Sequence, residues 1–247
     1  METSQLKLKK NPRYMIPENC TGCGECIDAC PVEYPNRWEM RLGTRRAISV
    51  PFPQVVPLIY TLNKDHCIQC YKCVDVCDER RAINFKQETK EVELNVGAII
   101  LAIGYDFFDP STLKEYGYGS YRNVISSIEM ERLLNAAGPT RGKLFRISDG
   151  KFPKRIGFIQ CVGSRDERIG QIYCSNACCL NSIKLAIQIK EKHPESEVYI
   201  FYNDIRAFGK EFEEVYRKAR ESCISSLVEK YTQGINQRIY VRKVKLM

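Results

Sequence analysis

Residues 20–31 read CTGCGECIDACP, and the same spacing returns at residues 67–78 as CIQCYKCVDVCD. Each run is C-x2-C-x2-C-x3-C. Three cysteines spaced two residues apart wrap one face of an iron–sulfur cube and offer thiolates to three irons. The fourth, carried away on a short helix, completes the neighbouring cube in two-cluster ferredoxins. The expected ligand sets are therefore crossed. Cys20, Cys23, Cys26 and Cys77 belong to one [4Fe–4S] centre, and Cys67, Cys70, Cys73 and Cys30 to a second. Gly22 and Gly24 suit backbone that passes close to sulfide at unusual φ/ψ angles. In the second run Gln69 and Tyr71 stand at those places, and Asp78 stands where Pro31 follows the first run. These departures bear on potential and solvent access and leave the ligands intact. Zinc modules use separated pairs of ligands instead of triplets with a distant fourth.

Around these runs the chain has the composition of a soluble globular protein, 44% apolar and 28% charged. The longest apolar run, Gly97–Ile103, falls far short of the roughly 20 residues that span a bilayer. METSQLKLKKNPRYM has no apolar core after its basic residues, so no secretory signal is read there and a cytoplasmic location is expected. Thirteen cysteines in a reducing compartment point to metal ligation before disulfides. The formal charge of +8 suggests an acidic partner or nucleic acid. Each all-thiolate cluster carries about −2, however, so three would offset about six of those charges. With no recognition helix or aromatic platform, nucleic-acid binding is not expected.

Four stretches differ in texture. Residues 1–15 form a polar basic leader. Residues 16–90 hold both runs and six prolines, as a small loop-rich α+β module of the two-cluster ferredoxin kind would. Within it, residues 31–66 carry Arg37, Arg41, Arg45, Arg46, Trp38 and the run PFPQVVPLIY, which reads equally as a docking surface or a solvated cluster over a small core. Residues 91–220 alternate strand and helix patterns. Glu91–Val96 reads as an exposed strand and Ala98–Ile103 as a buried one, with helices at Ile125–Ala137 and Cys179–Lys192 and strands at Arg155–Val162 and Glu197–Tyr202. The last three elements make a βαβ unit and hence a parallel, doubly wound sheet. Residues 221–247 are a basic tail containing Cys223. His66 and His193 are read as loop histidines.

A second constellation, Cys161, Cys174, Cys178 and Cys179, has the spacing C-x12-C-x3-C-C and sits between the strand and the helix of that βαβ unit. There a dinucleotide fold would hold a pyrophosphate on a glycine-rich turn, and no G-x-G-x-x-G occurs in this sequence. By residue type alone, a third cluster competes with buried or redox-active thiols.

The order of motifs resembles a known family. A ferredoxin-like module is followed by VGAIILAIGYDFFDP, GPTRGK, SDGK, IQCVGSRDERIGQIYCSNACC and IFYNDIRAFGKEFEE. Over residues 11–220 this is similar to the A-type subunit of heterodisulfide reductase, the iron–sulfur flavoprotein of methanogenesis and of related anaerobic metabolism. The resemblance implies a ferredoxin module joined to a partial thioredoxin-reductase-like (Rossmann-type) α/β flavoprotein domain. It also implies a third cluster on Cys161, Cys174, Cys178 and Cys179, and FAD near Gly104 and Lys184. Ile103 stands where the family usually has threonine. Lys184, with Glu131 as its possible ion partner, equally fits a solvated helix face. The family's flavin-binding segments before and after this region are not recognisable here. Similarity fades after residue 220, so a fragment with a divergent tail is the expectation.

The function implied is one-electron transfer through [4Fe–4S] clusters in a complex that acts on the coenzyme M–coenzyme B heterodisulfide by flavin-based bifurcation. Its expected partners are subunits of the B and C type, a hydrogenase or formate dehydrogenase as donor, and ferredoxin. No nucleophile or acid–base pair is identifiable. The rival readings are a stand-alone ferredoxin-like carrier without catalysis and a nonfunctional remnant.

Overall fold

The computed structural model describes residues 4–221 and 226–229. The chain divides into two compact units, Met1–Asp106 with Asn135–Gly142, and Phe107–Leu134 with Lys143–Met247.

In the first unit β1 (Ser4–Lys10) is followed by α1 (Glu25–Ala29). Two small antiparallel pairs come next, β2 (Glu33–Pro35) with β3 (Thr44–Arg46) and β4 (Ile48–Ser49) with β5 (Thr61–Leu62). The unit continues with α2 (Lys72–Cys77) and β6 (Lys90–Val96). The stretch read as a basic leader therefore carries a strand. β1 and β6 are antiparallel, Ser4 opposite Val96 and Lys10 opposite Lys90, and Lys7 pairs with Glu93 at 3.0 Å. α1 packs on α2. The core beneath them is thin, and three of its nine buried side chains are cysteines: Cys26, Cys30 and Cys73, enclosed by residues such as Met15, Ile48 and Leu62. So small an apolar core needs another source of stability.

The buried strand expected at Ala98–Ile103 is not there. These residues form no strand and lie open, with Ile100 and Ile103 each 91% exposed. An apolar, β-branched run favours the extended backbone, but a strand exists only where a neighbour takes up its N–H and C=O groups. Among the described residues nothing pairs with it.

In the second unit α3 (Ser127–Leu134) is shorter than the expected helix and begins at a capping box. Ser126 Oγ accepts from Glu129 N at 3.3 Å, and Glu129 Oε2 accepts from Ser126 N at 2.6 Å. β7 (Arg155–Ile159), α4 (Cys178–Lys192), β8 (Glu197–Tyr202), α5 (Phe212–Glu221) and β9 (Ser226–Glu229) follow. β7, β8 and β9 pair in that order, all parallel, so the βαβ unit is present. It forms because Ile183, Leu185, Ala186 and Ile189 put an apolar stripe along α4. That stripe is buried in the unit's core with Ile156 and Phe158 of β7 and Val198 and Ile200 of β8. Lys192 Nζ donates to Leu134 O at 2.7 Å, closing the C-terminal end of α3. Cys223 and most of the tail lie outside the described residues.

Candidate metal centres

The two ferredoxin-type runs fold onto two separate pockets. One is lined by Cys20, Cys23, Cys26 and Cys77, the other by Cys30, Cys67, Cys70 and Cys73. Each takes three thiols from one run and the fourth from the end of the other run's helix. The cause is the packing of α1 on α2, which carries Cys30 and Cys77 away from their own triplets.

Backbone conformation repeats where the residue types do not. Gly22 and Gly24 have φ of 72° and 92°, and the equivalent Gln69 and Tyr71 have 54° and 58°. Both loops thus curl through the left-handed region around a pocket, although only the first uses glycine for it. At Gly22 the space is tight as well, since a Cβ would come 3.1 Å from Leu58 O.

The chemistry of the pockets calls for a cationic core. Burial, joined by the neighbouring cysteine thiolates, pushes Cys26 up to about 12 and Cys73 up to about 11. Four such thiols ionise together only when positive charge sits among them. N–H groups already face several sulfurs: Gln69 N to Cys67 Sγ and Ala82 N to Cys77 Sγ, each at 3.4 Å, and Arg80 Nη1 to Cys23 Sγ at 2.9 Å. The Glu25 backbone N–H, helped by Arg80, holds Cys23 below the usual thiol range. The donor set fits [4Fe–4S].

In the second unit Cys161 follows β7 with φ of 57°, and Cys178 and Cys179 open α4. The loop between them folds as a hairpin, in which Asp166 and Gln171 exchange backbone hydrogen bonds and Arg165 N donates to Tyr173 O at 3.0 Å. Cys161 and Cys179 both hydrogen-bond to Cys178, which lowers Cys178 and raises the other two. Cys174 stands on the returning arm, and its Sγ accepts from Asn176 N at 3.4 Å. Arg165, ion-paired to Asp204, also bears on Cys161. Among the described residues, Gln160 Nε2 and Ser164 Oγ of this unit are buried donors with no hydrogen-bond partner.

Gly104 lies in the open stretch after Ile103, and a Cβ there would meet nothing within 4 Å, so no cradle surrounds it. Lys184 is half-exposed on α4 and pairs with Glu131 of α3 at 3.0 Å, the ion partner expected of it. Arg80, Arg165, Gln160 and Ser164 escaped the sequence reading, and only Asp78 in place of a proline hinted at unusual geometry near Arg80.

Two families described as 4Fe-4S binding domains match the chain, at residues 14–33 and 64–79. No described helix is long and apolar enough to cross a membrane. The chain is 52% identical over 217 residues to the A-type subunit of the H(2):CoB-CoM heterodisulfide,ferredoxin reductase of Methanothermobacter marburgensis, covering 88% of this chain and 33% of that protein. It is 56% identical over 216 residues to the second of the A-type iron-sulfur subunits of CoB--CoM heterodisulfide reductase in Methanopyrus kandleri, covering 87% and 33%. Against the A-type subunit of the H(2)/formate:CoB-CoM heterodisulfide,ferredoxin reductase of Methanococcus maripaludis it is 54% identical over 217 residues, covering 87% and 33%. The chain thus spans about a third of the length of the curated relatives it matches. Over that third, it is homologous to A-type heterodisulfide reductase subunits.

Proposed function

We propose that this chain moves electrons one at a time through [4Fe–4S] clusters as the A-type iron–sulfur subunit of a heterodisulfide-reductase-like complex. One observation carries the reading: each ferredoxin-type pocket draws three thiols from one run and one from the other. Cys20, Cys23, Cys26 and Cys77 hold the first cluster, and Cys30, Cys67, Cys70 and Cys73 the second. Cys161, Cys174, Cys178 and Cys179 hold a third. Bound clusters supply one-electron redox chemistry with no change of bonding.

The rest is the work of this chain's side chains and backbone. Packing of α1 on α2 fixes the two pockets relative to each other, and that fixes the distance an electron travels. N–H donors to the sulfurs and the burial of Cys26, Cys30 and Cys73 set how readily each site accepts charge. In the second unit, Arg165 presents positive charge to the third site at Cys161. The partial reductase-like α/β domain belongs to the same reading and is supported by the parallel β7–α4–β8 unit. Flavin, where the complex uses it, is then held by polypeptide outside the described residues. The names of the relatives support a link to hydrogen or formate, the CoB–CoM heterodisulfide and ferredoxin; subunits of the B and C type as partners belong to the same proposal.

Anaerobic purification with iron, sulfide and flavin quantified tests the reading. About twelve irons per chain supports three cubes, and about eight restricts the relay to the ferredoxin-type pair. Colourless, iron-free material refutes it. A flavin spectrum in the isolated complex separates the enzyme reading from that of a stand-alone carrier.

A further inference from the structure

The two ferredoxin-type pockets differ in the charge on their walls. The first is bordered by Arg80, whose guanidinium is tethered on several sides. Its Nε donates to Cys77 O at 3.3 Å, and its Nη2 pairs with Glu25 and donates to Val76 O at 2.9 Å. So held, the group aims Nη1 at Cys23 Sγ, 2.9 Å away. Glu25 offsets part of the charge but binds the far nitrogen, leaving the positive end towards the sulfur. Among the described residues no charged side chain lines the second pocket, whose wall is made by side chains such as Val32, Ile48, Leu62, Ile68 and Phe85. Asp78 explains the difference. Its φ of 38° starts the 3-10 turn Asp78–Arg80 that brings Arg80 back over the first pocket. A proline there, as at Pro31 after the first run, would hold φ near −65° and forbid that turn.

We propose that Arg80 raises the reduction potential of the cluster on Cys20, Cys23, Cys26 and Cys77 above that of the cluster on Cys30, Cys67, Cys70 and Cys73, giving the pair a direction. The proposal rests on both pockets holding [4Fe–4S]. Reduction adds one negative charge to a cluster. A charge-assisted N–H···S bond favours that added charge, and an apolar wall opposes it. An electron delivered to the second site by a low-potential one-electron reductant therefore passes to the first. The second cluster returns to its oxidised level, the first gains the one electron, and no proton or bond changes place. Arg80 acts through Cys23 and is a positioning residue.

Redox titration of the anaerobic full-length chain, followed by electron paramagnetic resonance and paired with iron and sulfide counts, tests this. The signal lost in Cys20→Ala and kept in Cys67→Ala marks the first site. In the unaltered chain its midpoint is expected to be the higher of the pair. Arg80→Gln lowers it by at least tenfold in electron partition, which is 59 mV for one electron, with iron and the other midpoint unchanged. Arg80→Lys, which keeps the charge and loses the fork, falls between, and Arg81→Gln moves neither. The proposal is overturned if the first site starts at or below the second, or if Arg80→Gln leaves it in place with full iron. If Arg80→Gln sheds the first cluster, Arg80→Lys decides, and an unmoved midpoint there overturns it. An unaltered chain without iron would refute the relay reading itself.

Discussion

Cys30 stands at the end of α1 beside its own triplet, yet it lines the pocket of the other one. Cys30→Ala should therefore remove the same cluster as Cys67→Ala, and Cys77→Ala the same cluster as Cys20→Ala, each with a loss of about four irons per chain. Spectra that instead grouped Cys30 with Cys20 would refute the crossed assignment. In the folded iron-free chain, Cys23 is exposed and held below the usual thiol range, whereas burial pushes Cys26 up to about 12. Only the thiolate reacts, and its fraction at a given pH is larger the lower the pKa. Within the first run, iodoacetamide near neutral pH should thus label Cys23 before Cys26, with the gap narrowing as pH rises; peptide mapping reads the order. At this scale the ligands were legible because their spacing is local in the chain. Arg80 was not, because its sulfur partner lies 57 positions away and only the folded 3-10 turn brings the two together.

Legibility among the elements followed the source of their stability. α4 and β8 could be read directly, since the periodicity of their apolar residues is the same pattern that buries them. α3 came out shorter because the Ser126–Glu129 box fixes its start, while Ile125 lies before it. The run Ala98–Ile103 misled because propensity is local and strand pairing is not. β1 escaped notice for the converse reason: SQLKLKK is nearly all exposed and owes its conformation to β6. Leu185, fully buried in α4, gives a test of packing. Leu185→Ala should cost about 2–5 kcal/mol in denaturant unfolding. Gly22→Ala should cost about 1–2 kcal/mol for its left-handed backbone alone. Crowding against Leu58 O should also lower the iron content.

For the molecule as a whole, the two units draw stability from different sources. The first closes a thin core around three cysteines, whereas the second buries an aliphatic α4 against β7 and β8. Stripping iron with a chelator should therefore raise hydrogen exchange across residues 14–85 while Ile183–Ile189 and Val198–Ile200 stay protected, because ligand binding there is folding free energy. Equal loss in both regions would show that the second unit also depends on metal. The β1–β6 ladder adds one more consequence. With Ser4 opposite Val96 and Lys10 opposite Lys90, the backbone leaves for the cluster-bearing lobe and comes home through a single doorway. Residues 11–89 hang from that stalk as a cassette, which could be excised or transplanted at two neighbouring cuts without rerouting the host chain.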